Sequence, residues 1–268
     1  MGHVKEWEDL TICDNFLFKK VMQNRRLCRR LIEKLLGIKI KSIHYPETEK
    51  SIDVSATKKS VRLDLYVETD SGVMIDIEMQ TVDGAESWLP KRTRYYQAMI
   101  DLDVLGKGQN YTDLKPSYVI FICTFDAFPK YGRRIYTFSN RCREQADMEL
   151  GDETTKIFLN AKGTVGEVDK DIANFLSYVD GKAAEGKFTK DVALEVEKVK
   201  QHKETRVEYM TLMMELQQQR REGREEGKDL ALVSTIRNLM ETLHLSAKQA
   251  MDAMKIPAAE QEKYLARV

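Results

Sequence analysis

The chain has 268 residues, of which 42% are hydrophobic, enough to bury one large domain or a domain with an extension. Lysine plus arginine equals aspartate plus glutamate at 43 each, which excludes a net field toward nucleic acid, so any binding surface must come from local clustering. The longest apolar run, residues 118–123, is too short to span a bilayer, which excludes a membrane-spanning segment.

The first half of the chain alternates between helical and strand patterns. In order, we expect a helix over 7–36, a strand over 38–43, a β-hairpin over 61–80, a helix over 88–105 and a strand over 118–125. Gly37 follows the first helix where helices commonly stop, and Pro90 lies in the first turn of the second helix. The strand after that helix is nearly all apolar, as expected for a strand covered on both faces.

The second half is more charged. In order, its pattern predicts a hairpin from residues 134–138 and 149–159, a short helix over 169–179, an amphipathic charged helix over 190–219 and three short helices after 229. Residues 220–229 carry two glycines among charges and predict either a flexible linker or a frayed helix. We therefore expect three parts: a domain over 1–185, a charged helix with a linker over 186–228, and a small helical module over 229–268.

The cysteines and the start of the chain bear on the compartment. The four thiols, Cys13, Cys28, Cys123 and Cys142, show neither a CxxC pair nor the dense spacing of a disulfide framework. Charged residues stand where a signal peptide would need an apolar stretch. A reducing cytoplasm is the expected location.

The hairpin, "RLDLYVETDSGVMIDIEMQ" over residues 62–80, carries the strongest functional signal. With a three-residue loop closed by Gly72, the register places Asp64 directly across from Glu78, with their Cβ atoms roughly 5 Å apart. Gln80 follows on the same face. Carboxylate oxygens suit magnesium or manganese, whereas zinc would need histidine or cysteine ligands, and the four histidines are scattered.

An ordinary antiparallel sheet with one face in water would also place polar residues at alternate positions. Asp76 is expected to be of this solvated kind. Asp64 and Glu78 fit that explanation less well, because acidic residues are poor strand formers and neither has a lysine or arginine opposite. Two facing carboxylates repel each other and favour a bound cation.

The residues of the hairpin and its flanks resemble a known nuclease family. The ordered motifs are "SVRLDLYVETDSG", "IDIEMQ", "KRTRYYQAMID", "LGKGQNYTDLKPSYVIFI", "KIFLNAKG", "VEYMTLMMELQ" and "REEGREEGK". Over residues 9–228 they resemble the recombination-promoting nuclease family, the PD-(D/E)XK nuclease family transposases. The resemblance implies an α/β fold with a restriction-endonuclease-like PD-(D/E)XK core, αβββαβ, here with a helical C-terminal extension.

The resemblance also implies roles for individual residues. Asp64 and Glu78 would bind Mg²⁺, with Mn²⁺ as a substitute, and the backbone carbonyl of Met79 would be a further ligand. Gln80 falls where most relatives of the wider superfamily have the active-site lysine, and Leu63 replaces the first proline of the motif. The implied activity is metal-dependent endonucleolytic cleavage of DNA with low sequence specificity, linked to recombination or mobile elements. A transposase in the strict sense is disfavoured, because these motifs carry no signal for an activity that joins DNA to a target.

Glutamine hydrogen-bonds to water but adds no charge, so the cation that a lysine would supply must come from elsewhere. Lys91 or Arg92 could supply it, although a solvated surface position is the ordinary expectation for both. Glu33 is a candidate for a further site carboxylate, against the ordinary alternative of an exposed glutamate among basic neighbours.

Two helices carry a local excess of basic or aromatic residues in this neutral chain. Only one acidic residue stands among nine lysines and arginines over residues 19–41. The mixture of cations and tyrosines on the second helix suits phosphates and bases. The predicted DNA contacts are Arg26, Arg30, Arg92, Arg94 and Tyr95.

A catalytically weak DNA-binding or assembly protein working through its helical tail is the alternative function. The tail has the layout of a helix-turn-helix, with Ser246 as an N-cap and Pro257 starting the third helix. That third helix offers Glu260 and Glu262, which phosphates would repel. We therefore favour packing or self-association, and expect a homo-oligomer to form through these C-terminal helices.

Overall fold

The computed structural model describes residues 5–45, 51–52, 61–81 and 88–268, with the backbone alone for 51–52 and 61–62. It divides into two compact units, the first ending at Thr205 and the second comprising Arg206–Val268. The strands are β1 (Ile43–His44), β2 (Ser51–Ile52), β3 (Val61–Arg62), β4 (Leu65–Thr69), β5 (Met74–Gln80), β6 (Ser117–Cys123), β7 (Ile135–Phe138) and β8 (Thr154–Asn160). The helices are α1 (Asn15–Met22), α2 (Arg25–Leu36), α3 (Leu89–Val104), α4 (Lys170–Val179), α5 (Gly186–Gln201), α6 (Lys203–Leu243), α7 (Ala247–Ala253) and α8 (Ala258–Leu265).

Six strands form one mixed sheet in the order β1-β4-β5-β6-β8-β7. β5, β6 and β8 run parallel, while β1, β4 and β7 are antiparallel to their neighbours. β2 and β3 pair with each other in a separate ribbon. The expected α/β class, the central hairpin and the antiparallel pairing of β7 with β8 are confirmed.

The first predicted helix is divided into shorter pieces. A 3₁₀ turn covers Trp7–Asp9, and α1 and α2 are separated by Asn24, whose side chain accepts hydrogen bonds from two backbone N–H groups at the start of α2. Gly37 ends α2 at φ 67°, a left-handed conformation that glycine adopts without strain. The expected strand over 38–43 is wrong except at its last residue, because pairing with β4 begins only at Ile43.

Both faces of the sheet are covered. α3 packs on one face through an apolar cluster that includes Tyr96, Phe121 and Phe158. α1 contacts β5 and packs with α5, and α2 packs with α4 and α5. All seven residues of β5 are buried, which excludes for this strand the alternative of a sheet with one face in water.

The helical parts of the prediction are mostly confirmed. α3 and α4 match their predicted ranges, with Pro90 in the first turn of α3 and Asp169 as the N-cap of α4. α5 packs against α1, α2 and α4, and the first compact unit includes it and ends at Thr205. Residues 220–229 are helical within α6.

The second unit has a small apolar core of its own. Ile236 from α6, Ala250 and Met251 from α7, and Tyr264 from α8 are buried in it. The Ser246 side chain accepts a hydrogen bond from the Gln249 N–H as part of a capping box, and Pro257 precedes α8, as predicted. Within the described ranges, no helix combines the length and apolar character needed to cross a membrane.

Candidate active site

The carboxylates singled out in the sequence meet where β4 begins, β5 ends and α3 begins. The β4–β5 register pairs Leu65 with Ile77, which places Asp64 opposite Glu78 as predicted. Asp64 lies just before β4, and its backbone N–H donates to Glu78 Oε1 at 2.8 Å instead of continuing the strand ladder. The strand is interrupted at residues 63–64, and the hydrogen bond made there links Asp64 to Glu78.

Glu78 is fully buried, and its environment disfavours ionisation. Burial is the largest cause, and the nearby Asp64 carboxylate adds repulsion, so that the pKa of Glu78 rises to about 8 against the lowering effect of Arg92. A cation beside the two carboxylates would relieve both effects.

Asp76 is also fully buried, so its expected position in solvent is wrong. It lies on the same face of β5 as Glu78, opposite Tyr66 of β4. Neither carboxyl oxygen has a hydrogen-bond partner within the part of the chain that the structure describes. Burial, followed by the charges of Glu78 and Asp64, raises the pKa of Asp76 well above its ordinary value.

Arg92, in the first turns of α3, binds the carboxylate and the amide of the motif together. Its Nη2 donates to Glu78 Oε2 at 2.7 Å, its Nη1 donates to Gln80 Oε1 at 2.9 Å, and Nη2 also donates to the Tyr96 hydroxyl. The guanidinium lies 4.7 Å from the ring centre of Tyr96 and 5.5 Å from that of Phe121. The expectation of a solvated surface position is therefore wrong for Arg92, because its charge is held inside the site.

The donor set fits a hard divalent cation. Glu78 Oε1 accepts a single hydrogen bond within the described ranges, from the backbone of Asp64, and so keeps a further acceptor position. The Met79 side chain points to the opposite face from Glu78, so only its backbone carbonyl could contribute. No three histidine, cysteine, aspartate or glutamate side chains of the described residues form a ready-made metal site. Two carboxylates are nevertheless sufficient for magnesium, which keeps several waters and binds substrate phosphate oxygens.

The structure does not bring the other predicted site residues to this group. Glu33 accepts a hydrogen bond from the Ile40 backbone N–H at 2.9 Å, which is a local role beside α2. Arg30 forms an ion pair of 2.6 Å with Asp191 of α5, whereas Arg26 is exposed. Arg94 and Tyr95 are exposed on α3, away from this group.

The sequence did not reveal that Tyr96 and Asp76 lie buried at this group of residues. Tyr96 stands one helical turn after Arg92, at i, i+4 spacing, so the two side chains can meet. Because the motif lacks its lysine, this pair on the following helix was the signal that could have indicated a replacement cation and its partner. For Asp76 the signal was weaker, because burial on both faces of β5 depends on α3 packing over the sheet.

The comparisons with known proteins agree with this geometry. The model of the PD-(D/E)XK nuclease family transposases matches residues 13–162, more than half of the chain, and this range contains every residue of the group just described. Comparison with curated proteins and with solved structures gave no match. The chain therefore belongs to the PD-(D/E)XK nuclease family transposases, and its α/β core has the restriction-endonuclease-like fold of that family.

Proposed function

We propose that this protein is a divalent-metal-dependent DNA endonuclease of low sequence specificity. The observation that carries the proposal is the Asp64–Glu78 pair on the core of a nuclease family, with Gln80 and Arg92 bound to the same carboxylate. Asp64, Glu78 and the carbonyl of Met79 would hold Mg²⁺ or, in its place, Mn²⁺. When bound, the cation would supply Lewis acidity and positive charge at the scissile phosphate.

The protein side chains have distinct tasks in this proposal. Gln80 is held between Arg92 Nη1 at 2.9 Å and Glu78 Oε2 at 3.4 Å, which fixes the plane of its amide. The second amide N–H can then hydrogen-bond the water that attacks phosphorus. Arg92 supplies the positive charge that Gln80 lacks and stabilises the negative charge that develops on the phosphate. Tyr96 accepts a hydrogen bond from Arg92 and thereby positions the guanidinium.

The surface residues complete the proposal. Arg26, Arg94 and Tyr95 would contact the DNA backbone, which supports binding without sequence preference. Cleavage of this kind suits DNA breakage during recombination or the movement of mobile elements. A cytoplasmic location is part of the proposal, since all four cysteines are free thiols.

Nicking of supercoiled plasmid by the purified protein tests the function. We expect cleavage in Mg²⁺ or Mn²⁺, none in Ca²⁺ or chelator, and loss of cleavage in Asp64→Ala and in Glu78→Ala with the fold retained. The exposed Glu149→Ala is the control and should cleave like the parent. Equal cleavage by both site variants would overturn the site, and no metal-dependent cleavage by the parent would favour a DNA-binding or assembly protein.

A further inference from the structure

A cavity of about 390 Å³ lies beside the candidate site, on the face of the sheet that α3 covers. Phe128, Phe138 and Phe158 line it, and their ring centres lie 5.1 to 5.8 Å apart. The Phe158 ring is buried, but Phe138 is 44% exposed. The volume is that of a small-molecule pocket, and the lining combines aromatic side chains with polar ones.

The sheet register connects the cavity to the carboxylates. Glu78 pairs with Phe121 across β5 and β6, and Phe121 pairs with Phe158 across β6 and β8. Neighbouring strands are about 4.8 Å apart, so the Cα of Phe158 lies roughly 10 Å from that of Glu78. The Phe121 ring separates the two places, with the Arg92 guanidinium at 5.5 Å and the Phe158 ring at 5.6 Å.

Polar groups at the cavity suit a nucleotide. Arg94 is exposed, and Lys156 is half-buried with its Nζ donating to Thr154 at 2.8 Å. Asn140 contributes an amide, which donates to the Asp152 carboxylate at 2.6 Å. Aromatic faces beside cations are the combination on which unpaired bases stack while flanking phosphates are bound.

We infer that this cavity binds an unstacked base of the DNA strand that is cut at the Asp64–Glu78 pair. Phe138 and Phe128 provide the stacking faces, and Arg94 and Lys156 bind the adjoining phosphates. The inference rests on the proposed nuclease function and adds a substrate preference to it. Since a base must leave its stack to enter, single strands, frayed ends and mismatched sites are better substrates than intact duplex.

Binding of the full-length protein in chelator, where no cleavage competes, tests the cavity. Fluorescence anisotropy would compare a labelled single strand with a strand of equal length and phosphate count that lacks bases. The parent should prefer the base-bearing strand. In Phe138→Ala this preference should fall by about 5- to 150-fold, because one stacking contact is lost.

Two further variants and a control make the result specific. Phe138→Leu keeps an apolar side chain without a π face, and should lose the preference like Phe138→Ala while retaining the parent's thermal stability. Arg94→Gln should weaken both strands equally, since it removes a phosphate contact. Tyr111→Ala, at an aromatic residue that is 85% exposed outside the cavity, should match the parent.

The outcomes separate the cavity from the nuclease function. An unchanged preference in Phe138→Ala and Phe138→Leu, in a parent that nicks plasmid, overturns the base site alone. This is also the result expected if the cavity takes an apolar side chain of a protein. A preference that depends on Phe138 in a parent that never nicks overturns the proposed reaction and keeps the base site.

Discussion

Arg92 illustrates how one side chain compensates for another at the site. The motif has glutamine where a lysine is common, and the Arg92 guanidinium, from α3, contacts both Glu78 and Gln80. A planar fork can bind two acceptors at once, which a lysine ammonium cannot do with fixed geometry. In the proposed mechanism, Arg92 on the next helix supplies the charge that Gln80 on β5 lacks.

Replacing Arg92 should affect cleavage strongly. We expect Arg92→Ala to reduce plasmid nicking by about 100-fold or more, as removal of a charge-stabilising donor does in other enzymes. Arg92→Lys should recover part of the rate, because the charge returns without the fork. The exposed neighbour Lys91→Gln is the matched control, and a loss of nicking there equal to that of Arg92→Ala would contradict the assignment.

The raised pKa values of the buried carboxyl groups predict how the stability of the metal-free protein depends on pH. The pKa of Glu78 is raised from 4.5 to about 8, so the folded state binds this proton more tightly than the unfolded state. The stability contribution is fully present below pH 4.5 and is lost as the pH rises through about 8. The pKa of Asp76 is also raised, so this carboxyl group likewise stabilises the folded protein at low pH and less as the pH rises.

We therefore expect the melting temperature in chelator to fall between pH 5 and pH 8.5. Glu78→Gln and Asp76→Asn should each flatten this fall, and added Mg²⁺ should reduce it in the parent. The exposed Glu149→Gln should retain the parent's slope. Slopes in the two buried-site variants that match the parent would show that these carboxyls do not carry the effect.

At the scale of the elements, α2 combines a packing role with a surface role. Its Leu27, Leu31 and Ile32 are buried, and Arg30 pairs with Asp191 of α5 while stacking over Phe188 at 5.2 Å. Arg26 is exposed on the same helix. The basic patch that the sequence displays is therefore divided between cations that bind protein and cations that face solvent.

This division predicts different effects for two arginines. Arg30→Ala should lower the melting temperature by about 2–8 °C, for a loss of about 1–2 kcal/mol from a half-buried ion pair with a charged hydrogen bond. Arg26→Ala should leave the melting temperature unchanged, weaken binding to unrelated DNA sequences equally and flatten its salt dependence. A loss of binding confined to one sequence would instead indicate base readout by Arg26.

At the scale of the whole molecule, the candidate site and the tail belong to different compact units. All members of the site lie before Thr205. In the second unit Lys263 forms an ion pair with Asp229, whereas Glu260 and Glu262 of α8 are exposed. On balance the exposed charges of α8 are therefore acidic, whereas a DNA-recognition helix usually exposes cations. These contacts support the proposal that the tail serves packing or self-association.

A chain ending at residue 228 should therefore keep metal-dependent nicking and lose self-association in light scattering. Tyr264→Ala in the full chain, which empties part of the small core and removes the hydrogen bond to Asp229, should act in the same way. Tyr111→Ala again serves as an exposed-aromatic control. Loss of nicking by a folded truncated chain would show that the tail is needed for cleavage.

Local patterns determined much of the architecture. Alternation and the Gly72 turn determined the β4–β5 register, and with it the facing of Asp64 and Glu78. Gly37 located the C-terminal end of α2, and Pro90 located the first turn of α3. These features depend on neighbours in the chain, so residue order alone is sufficient to predict them.

Only the tertiary structure decided what depends on packing between distant segments. The sequence could not show that α3 would cover the face bearing Asp76, that Arg92 would enter the site, or that Arg30 would meet Asp191 some 160 residues later. The cavity at Phe138 likewise combines α3, β7 and β8. The polarity of a residue determines what it can bind, but its burial and its partners follow from how the sheet and the helices pack around it. That packing determined that Arg92 contacts Glu78 and that Arg30 pairs with Asp191.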